Sequence, residues 1–263
     1  MADASVISDH IDYVFLLFLR VSGLLIGSPI FGRNNVPSIF KIGLCIMLSS
    51  VFVMSIPAPD VYPTYENLFM YFLVCIREIL FGVAMGYVLT TMFSLALTSG
   101  SIIDYQIGFS MASVYDPQFN TQTPITGSLL NIILLLVFFS YDGHLKLIEI
   151  VYKTFETVPV GAATAPKEIL LCAAETMSSS FVLAVMVAMP IIAAGMIVEV
   201  AMGIIIRTVP QMNVFVVGIP MKLLIGILML MLSIAGFVGF TKTIYSKAFD
   251  YVGEMFDYLT GTK

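Results

Sequence analysis

Six predominantly apolar stretches constrain this chain more than any other feature: Tyr13–Phe31, Ile39–Ile56, Leu68–Leu97, Ile125–Tyr141, Phe181–Ile206 and Val214–Phe240. About 20 such residues suffice for a helix to cross the hydrocarbon layer of a bilayer. Helices are required there, because lipid offers no partner to a free backbone N–H or C=O. Composition agrees, with 59% hydrophobic and 11% charged residues against about 25% charged in a soluble domain. The expected fold class is therefore an all-α integral membrane protein. The third and sixth stretches exceed one simple span, and the fourth is short, so tilt or interruption is expected.

The same numbers exclude other classes. A formal net charge of −5 and the lack of any basic run argue against nucleic acid. Cys45, Cys75 and Cys172 lie far apart in apolar or helical sequence, where small buried hydrophobes are expected. His10 and His144 are isolated, so no metal-ligand spacing arises and neither metal nor cofactor is expected. There is no Gly-Lys dipeptide and hence no phosphate loop, no G-x-S-x-G, and no H-E-x-x-H. No enzyme is expected. The acidic start "MADASVISDHIDYVFLL" lacks the basic region of a cleavable signal, so the first apolar stretch is expected to stay in the mature protein.

Charge and breaker residues organise the rest. Asp142–Ser180 holds Lys146, Glu149, Lys153, Glu156, Lys167, Glu168 and Glu175, punctuated by "VPVGAATAP". It reads as two amphipathic helices joined by a Pro/Gly turn. The chain thus divides into a four-segment part (1–141), a connector (142–180), and a hairpin with tail (181–263). Arg33, Lys41 and Arg207 mark two turns as cytoplasmic, while Asp3, Asp9, Asp12, Asp60 and Glu66 mark the opposite side. Alternating the segments puts both termini outside.

Ionisable groups inside apolar sequence are functional candidates. Arg20 lies eight residues into the first stretch, where snorkelling or a partner would relieve it. Arg77 and Glu78 are adjacent, point about 100° apart on a helix, and so seek partners on other helices or subunits. Gly82 and Gly86 follow as a small-xxx-small face for close packing. Glu199 and Lys222 each lie about nine residues, or roughly 13 Å, from the turn "TVPQMN", within reach of one another across a hairpin. Between the third and fourth stretches, "GFSMASVYDPQFNTQTPI" is too polar for lipid yet rich in Phe, Met and Tyr.

Five passages carry a family resemblance: "SPIFGRNNVPSIFKIGL", "REILFGVAMG", "GSIIDYQIGFSMASVYDPQFNTQTPI", "FFSYDGHLKLIEIVYKTFETVPVG" and "RTVPQMNVFVVGIPMKLLIG". In this order they resemble the FliR family of flagellar biosynthetic proteins (FliR/SctT/SpaR), the export-gate components of type III secretion. "PQMNVF" followed by "GIPMK" is closer to the flagellar than to the virulence branch. The resemblance implies bent helical hairpins, the four-segment part being like FliP and the last hairpin like FliQ. It implies a hetero-oligomeric ring with FliP and FliQ homologues in the bacterial inner membrane. FlhB wraps the hairpin turns, FlhA is a further partner, and unfolded flagellar subunits are the cargo. Within loop 98–128 it assigns a pore plug to Gly108, Phe109, Ser110, Met111, Asp116, Pro117 and Phe119. Partner contacts fall to Arg207, Pro210, Gln211, Asn213 and Phe215. The alternatives are a virulence export gate and a small-solute secondary transporter, whose broken helices and midplane charges look similar. Cysteines introduced as Asp3→Cys and Thr262→Cys should both react with impermeant reagent from outside the cell membrane. Labelling of both only from the cytoplasm would reverse the orientation.

Overall fold

Apolar sequence without breakers propagates as helix, and here it does so over long distances. The computed structural model describes residues 11–33, 36–56, 67–109, 124–161, 168–209 and 214–260. Seven helices occur among them: α1 (Ile11–Ile26), α2 (Ser38–Ser55), α3 (Leu68–Ile107), α4 (Ile125–Ser140), α5 (Gly143–Thr157), α6 (Glu168–Thr208) and α7 (Val214–Thr260). Five of the six apolar stretches lie almost wholly within one helix, while the helix of the first ends at Ile26, before Phe31, and the chain is an all-α integral membrane protein. The helices α2, α3, α6 and α7 are long and apolar enough to cross a membrane, and the bent pair α4–α5 makes a fifth candidate. With 40, 41 and 47 residues, α3, α6 and α7 run roughly 60–70 Å, about twice the thickness of a hydrocarbon core.

Two helices are longer than expected, for one reason. No Gly or Pro stands between Glu168 and Phe181, so the expected second amphipathic helix is instead the opening turns of α6. Likewise α3 runs through Thr98–Ile107, past the expected end at Leu97. Pro190 and Pro220 lie inside α6 and α7 without ending them; each forgoes one backbone bond.

The chain packs as two compact units, one from Met1–Met92, Phe138–Met177 and Ser246–Lys263, the other from Phe93–Val137 and Ser178–Tyr245. They follow packing, whereas 1–141, 142–180 and 181–263 is a partition read from charge and breaker residues along the chain.

In the first unit α1 lies along α2 and against α3. Gly23 of α1 and Gly27, just past its end, meet Gly82 and Gly86 of α3 backbone to backbone. A Cβ on Gly23 would stand 2.6 Å from the Ile79 carbonyl oxygen, and one on Gly86 2.7 Å from Gly27. Gly23 meets Gly82 and, four residues on, Gly27 meets Gly86, so α1 and α3 run parallel. Thr90 Oγ1 donates to the Gly27 carbonyl at the same seam. Leu16, Leu17, Val21, Phe81, Met85, Val88 and Leu89 fill the core beside it. Helix α5 buries Leu147, Val151 and Phe155 at four-residue spacing and turns Glu149 and Lys153 outward as a 2.7 Å ion pair. Phe52 of α2 packs on Phe155, ring centroids 5.7 Å apart. The last turns of α7 add Ala248, Val252, Met255 and Leu259.

The second unit closes α3 on α4 through Gly100, whose Cβ would collide with Gly127. Leu95, Ile103, Ile107, Leu130 and Leu134 pack there, together with Leu183, Ala184, Ala188 and Ile191 of α6. Tyr245 of α7 donates its hydroxyl to the Leu134 carbonyl.

Candidate functional site

Burying a charge costs several kcal/mol unless it is paired and hydrogen-bonded, so the buried ions show where this sequence is most constrained. Arg20 is 2% exposed and Glu78 wholly buried. Arg20 does not snorkel. Its Nε donates to Glu78 Oε2 at 2.6 Å and its Nη2 to Oε1 at 3.0 Å, a bidentate fork. Nη1 donates to the carbonyls of Thr154 (3.1 Å) and Val158 (3.0 Å). These close the C-terminal end of α5, where the Thr154 carbonyl also accepts the Val158 N–H and the helix dipole favours a cation. Glu78 Oε1 also accepts the backbone N–H of Gly161 at 2.8 Å. The guanidinium carbon sits 4.6 Å from the Phe81 ring centre and 4.9 Å from that of Phe155.

One pair thus ties α1 to α3, caps α5, and holds the turn after it, where Gly161 takes φ +91°. Sequence reasoning saw both ions but not the match. A signal was present: Arg20 stands three residues before Gly23-xxx-Gly27, and Glu78 four before Gly82-xxx-Gly86. Two charged residues at like spacing from two small-residue faces are candidates to pair when those faces meet. Arg77, next to Glu78, points elsewhere and is exposed.

Of the residues assigned to a plug, Gly108 and Phe109 are described; Ser110, Met111, Asp116, Pro117 and Phe119 lie outside the described residues. Gly108 ends α3 with φ +94°, its N–H bonded to the Asp104 carbonyl at 3.1 Å. A left-handed residue suits glycine there, since a side chain would strain it. Across the loop, both Asp104 carboxylate oxygens stand 3.3 Å from the Thr126 backbone nitrogen, in the first turn of α4. A carboxylate at a helix N-terminus meets orphan N–H groups and the positive end of the dipole. The Gly100–Gly127 contact lies one turn below. The two ends of the loop are therefore fastened together at its base.

On the hairpin of α6 and α7, Lys222 Nζ and Glu199 Oε1 form an ion pair, with 28% and 52% of their side chains exposed. Exposed Met196, Ile197, Val200, Met221 and Leu224 surround it. Arg207 sits exposed in the last turn of α6, and Phe215 lies in the first turn of α7. Pro210, Gln211 and Asn213 lie outside the described residues. Such an arrangement can fasten helices and present faces.

Replacing Arg20 by Met should lower stability by about 3–5 kcal/mol, because Glu78 stays buried without its cation. Arg20→Met with Glu78→Gln should recover a large part of that loss, read as the thermal midpoint of the purified protein. Equal losses in the single and double variants would contradict the pairing.

Comparison with known proteins gives the family. The family model for bacterial export proteins, family 1, matches residues 11–248. The flagellar biosynthetic protein FliR of Bacillus subtilis (strain 168) is 32% identical over 234 residues, covering 88% of this chain and 89% of that protein. FliR of Escherichia coli (strain K12) is 30% identical over 241 residues, covering 92% and 91%. FliR of Aquifex aeolicus (strain VF5) is 28% identical over 225 residues, covering 84% of each. A family match over most of its length and full-span likeness to flagellar proteins place this chain in the bacterial export proteins, family 1, within its FliR group.

Proposed function

We propose that this chain is a subunit of the flagellar protein export gate, embedded in the bacterial inner membrane, and that the segment joining α3 to α4, within residues 98–128, forms the plug of its channel. The family and the names of its relatives support the first half. The observation that carries the second is the fastened loop base. A loop whose ends are pinned by Asp104 and Thr126 keeps its position while its middle yields. Gly, Ser, Ala and Met in "GFSMASV" would let that middle seal when idle and deform for many different unfolded chains.

The partners follow from the same reading: FliP and FliQ homologues beside it in a ring, with homologues of FlhB and FlhA in the apparatus. Only 28% of the apolar window of α6 and 11% of that of α7 is buried within this chain. Helices roughly twice as long as the hydrocarbon is thick leave apolar surface for neighbouring subunits to cover. Uninterrupted α3, α6 and α7 favour a gate subunit over a secondary transporter, whose sites form at broken helices. The four-segment part, connector and hairpin (1–141, 142–180, 181–263) belong to this proposal as FliP-like, linking and FliQ-like portions. The role is a conduit, and no chemical step is assigned to it.

Deleting Ser110–Gln118 should leave the complex assembled but make it leak ions in planar bilayers. Trp at Ser110 or Ala112 should jam export without a leak. An assembled deletion variant as tight as the parent would reduce the loop to a connector.

A further inference from the structure

Arg77 and Glu78 are neighbours with opposite fates. Both Glu78 oxygens are taken up by Arg20 and by the Gly161 N–H. Arg77, about 100° round the helix, is exposed, and no hydrogen bond or ion pair reaches it among the described residues. The surface about it is apolar: Leu73 and Leu80, one turn to either side, and Met70, two turns away, are exposed. Nine uncharged residues separate it from the start of α3 at Leu68, a distance of roughly 13 Å. Toward the other end the next charged residue after the engaged Glu78 is Asp104. A cation at such depth on a greasy face is costly without an acid. Among the described residues, the neighbouring acid serves Arg20 and none serves Arg77.

We propose that this face of α3 docks a helix of another membrane subunit, and that a carboxylate on that helix pairs with Arg77 inside the apolar layer. The proposal deepens the gate reading, and it rests on that reading for who the partner is. A lipid phosphate fits less well, because more than two turns of apolar helix lie between Arg77 and the nearer helix end. A second copy of this chain fits less well too. Facing itself, this stripe would oppose two arginines, since its one acid, Glu78, is buried and engaged.

The test places a photo-crosslinking residue at Leu73 or Leu80 in the full-length chain, expressed with its export-gate neighbours in native membranes. The expected result is an adduct to one integral membrane protein. Arg77→Met suits lipid better than arginine and should insert normally, yet it should cut the adduct at least about tenfold. Arg77→Lys should retain most of it. Arg77→Glu should lose it and regain it when the partner's contacting acid is changed to Arg. Adducts only to lipid, adducts to another copy of this chain, or a protein adduct indifferent to residue 77 would each overturn the proposal. A charge-dependent adduct to a membrane protein outside the export apparatus would overturn the gate reading and leave this docking face standing.

Discussion

A guanidinium and a carboxylate removed from water must meet each other and have their remaining valences filled, or the fold does not pay its way. Arg20 and Glu78 meet that demand with five hydrogen bonds and two aromatic faces. The pair requires α1 and α3 to run parallel and in one register, and the glycines at 23, 27, 82 and 86 make that closeness possible. Parallel neighbours in turn require α2 to carry the chain back between them. The end of α5 and the turn at 158–161 are then built onto the same two side chains. Much of the first unit is organised by one ion pair whose cost would be severe if any contributor were removed.

The same physical device recurs in the second unit. Asp104 closes the start of α4 as Arg20 closes the end of α5, each charge sitting at the helix end whose dipole it complements. Both come from a distant point in the chain, so tertiary contact adds to whatever local capping each helix end has. The charges held by several partners within this chain, Arg20, Glu78 and Asp104, are buried, whereas Arg77 and the Glu149–Lys153 pair are exposed and the Glu199–Lys222 pair is partly so.

Much of the architecture was legible because apolar run length is a strong signal: five of the six stretches lie almost wholly within one helix, and the first loses only its end past Ile26. Element ends were less legible, because they depend on breakers. Glu168–Ser180 joins α6 for want of any Gly or Pro, and its polar residues Glu175 and Ser178–Ser180 did not announce that continuity. The adjacency of Arg77 and Glu78 showed that they would part company, but not which would be buried. That depends on Arg20, 58 residues away, and on the glycine seam that aligns it. Asp104 was not singled out at all, since a lone Asp near a helix end usually meets water; its role exists only once Gly100 brings α4 alongside.

The claim that a single ion pair holds the first unit together is tested most directly at the Gly161 amide. Its N–H is bonded to Glu78, outside any helix, so nothing but the buried pair protects it. Hydrogen exchange of the intact protein should show Gly161 protected to the level of the neighbouring α3 amides, and should show that protection collapse in Arg20→Met while the part of α7 before Ser246 is unaffected. Exchange at Gly161 as fast as in an exposed turn would contradict the account.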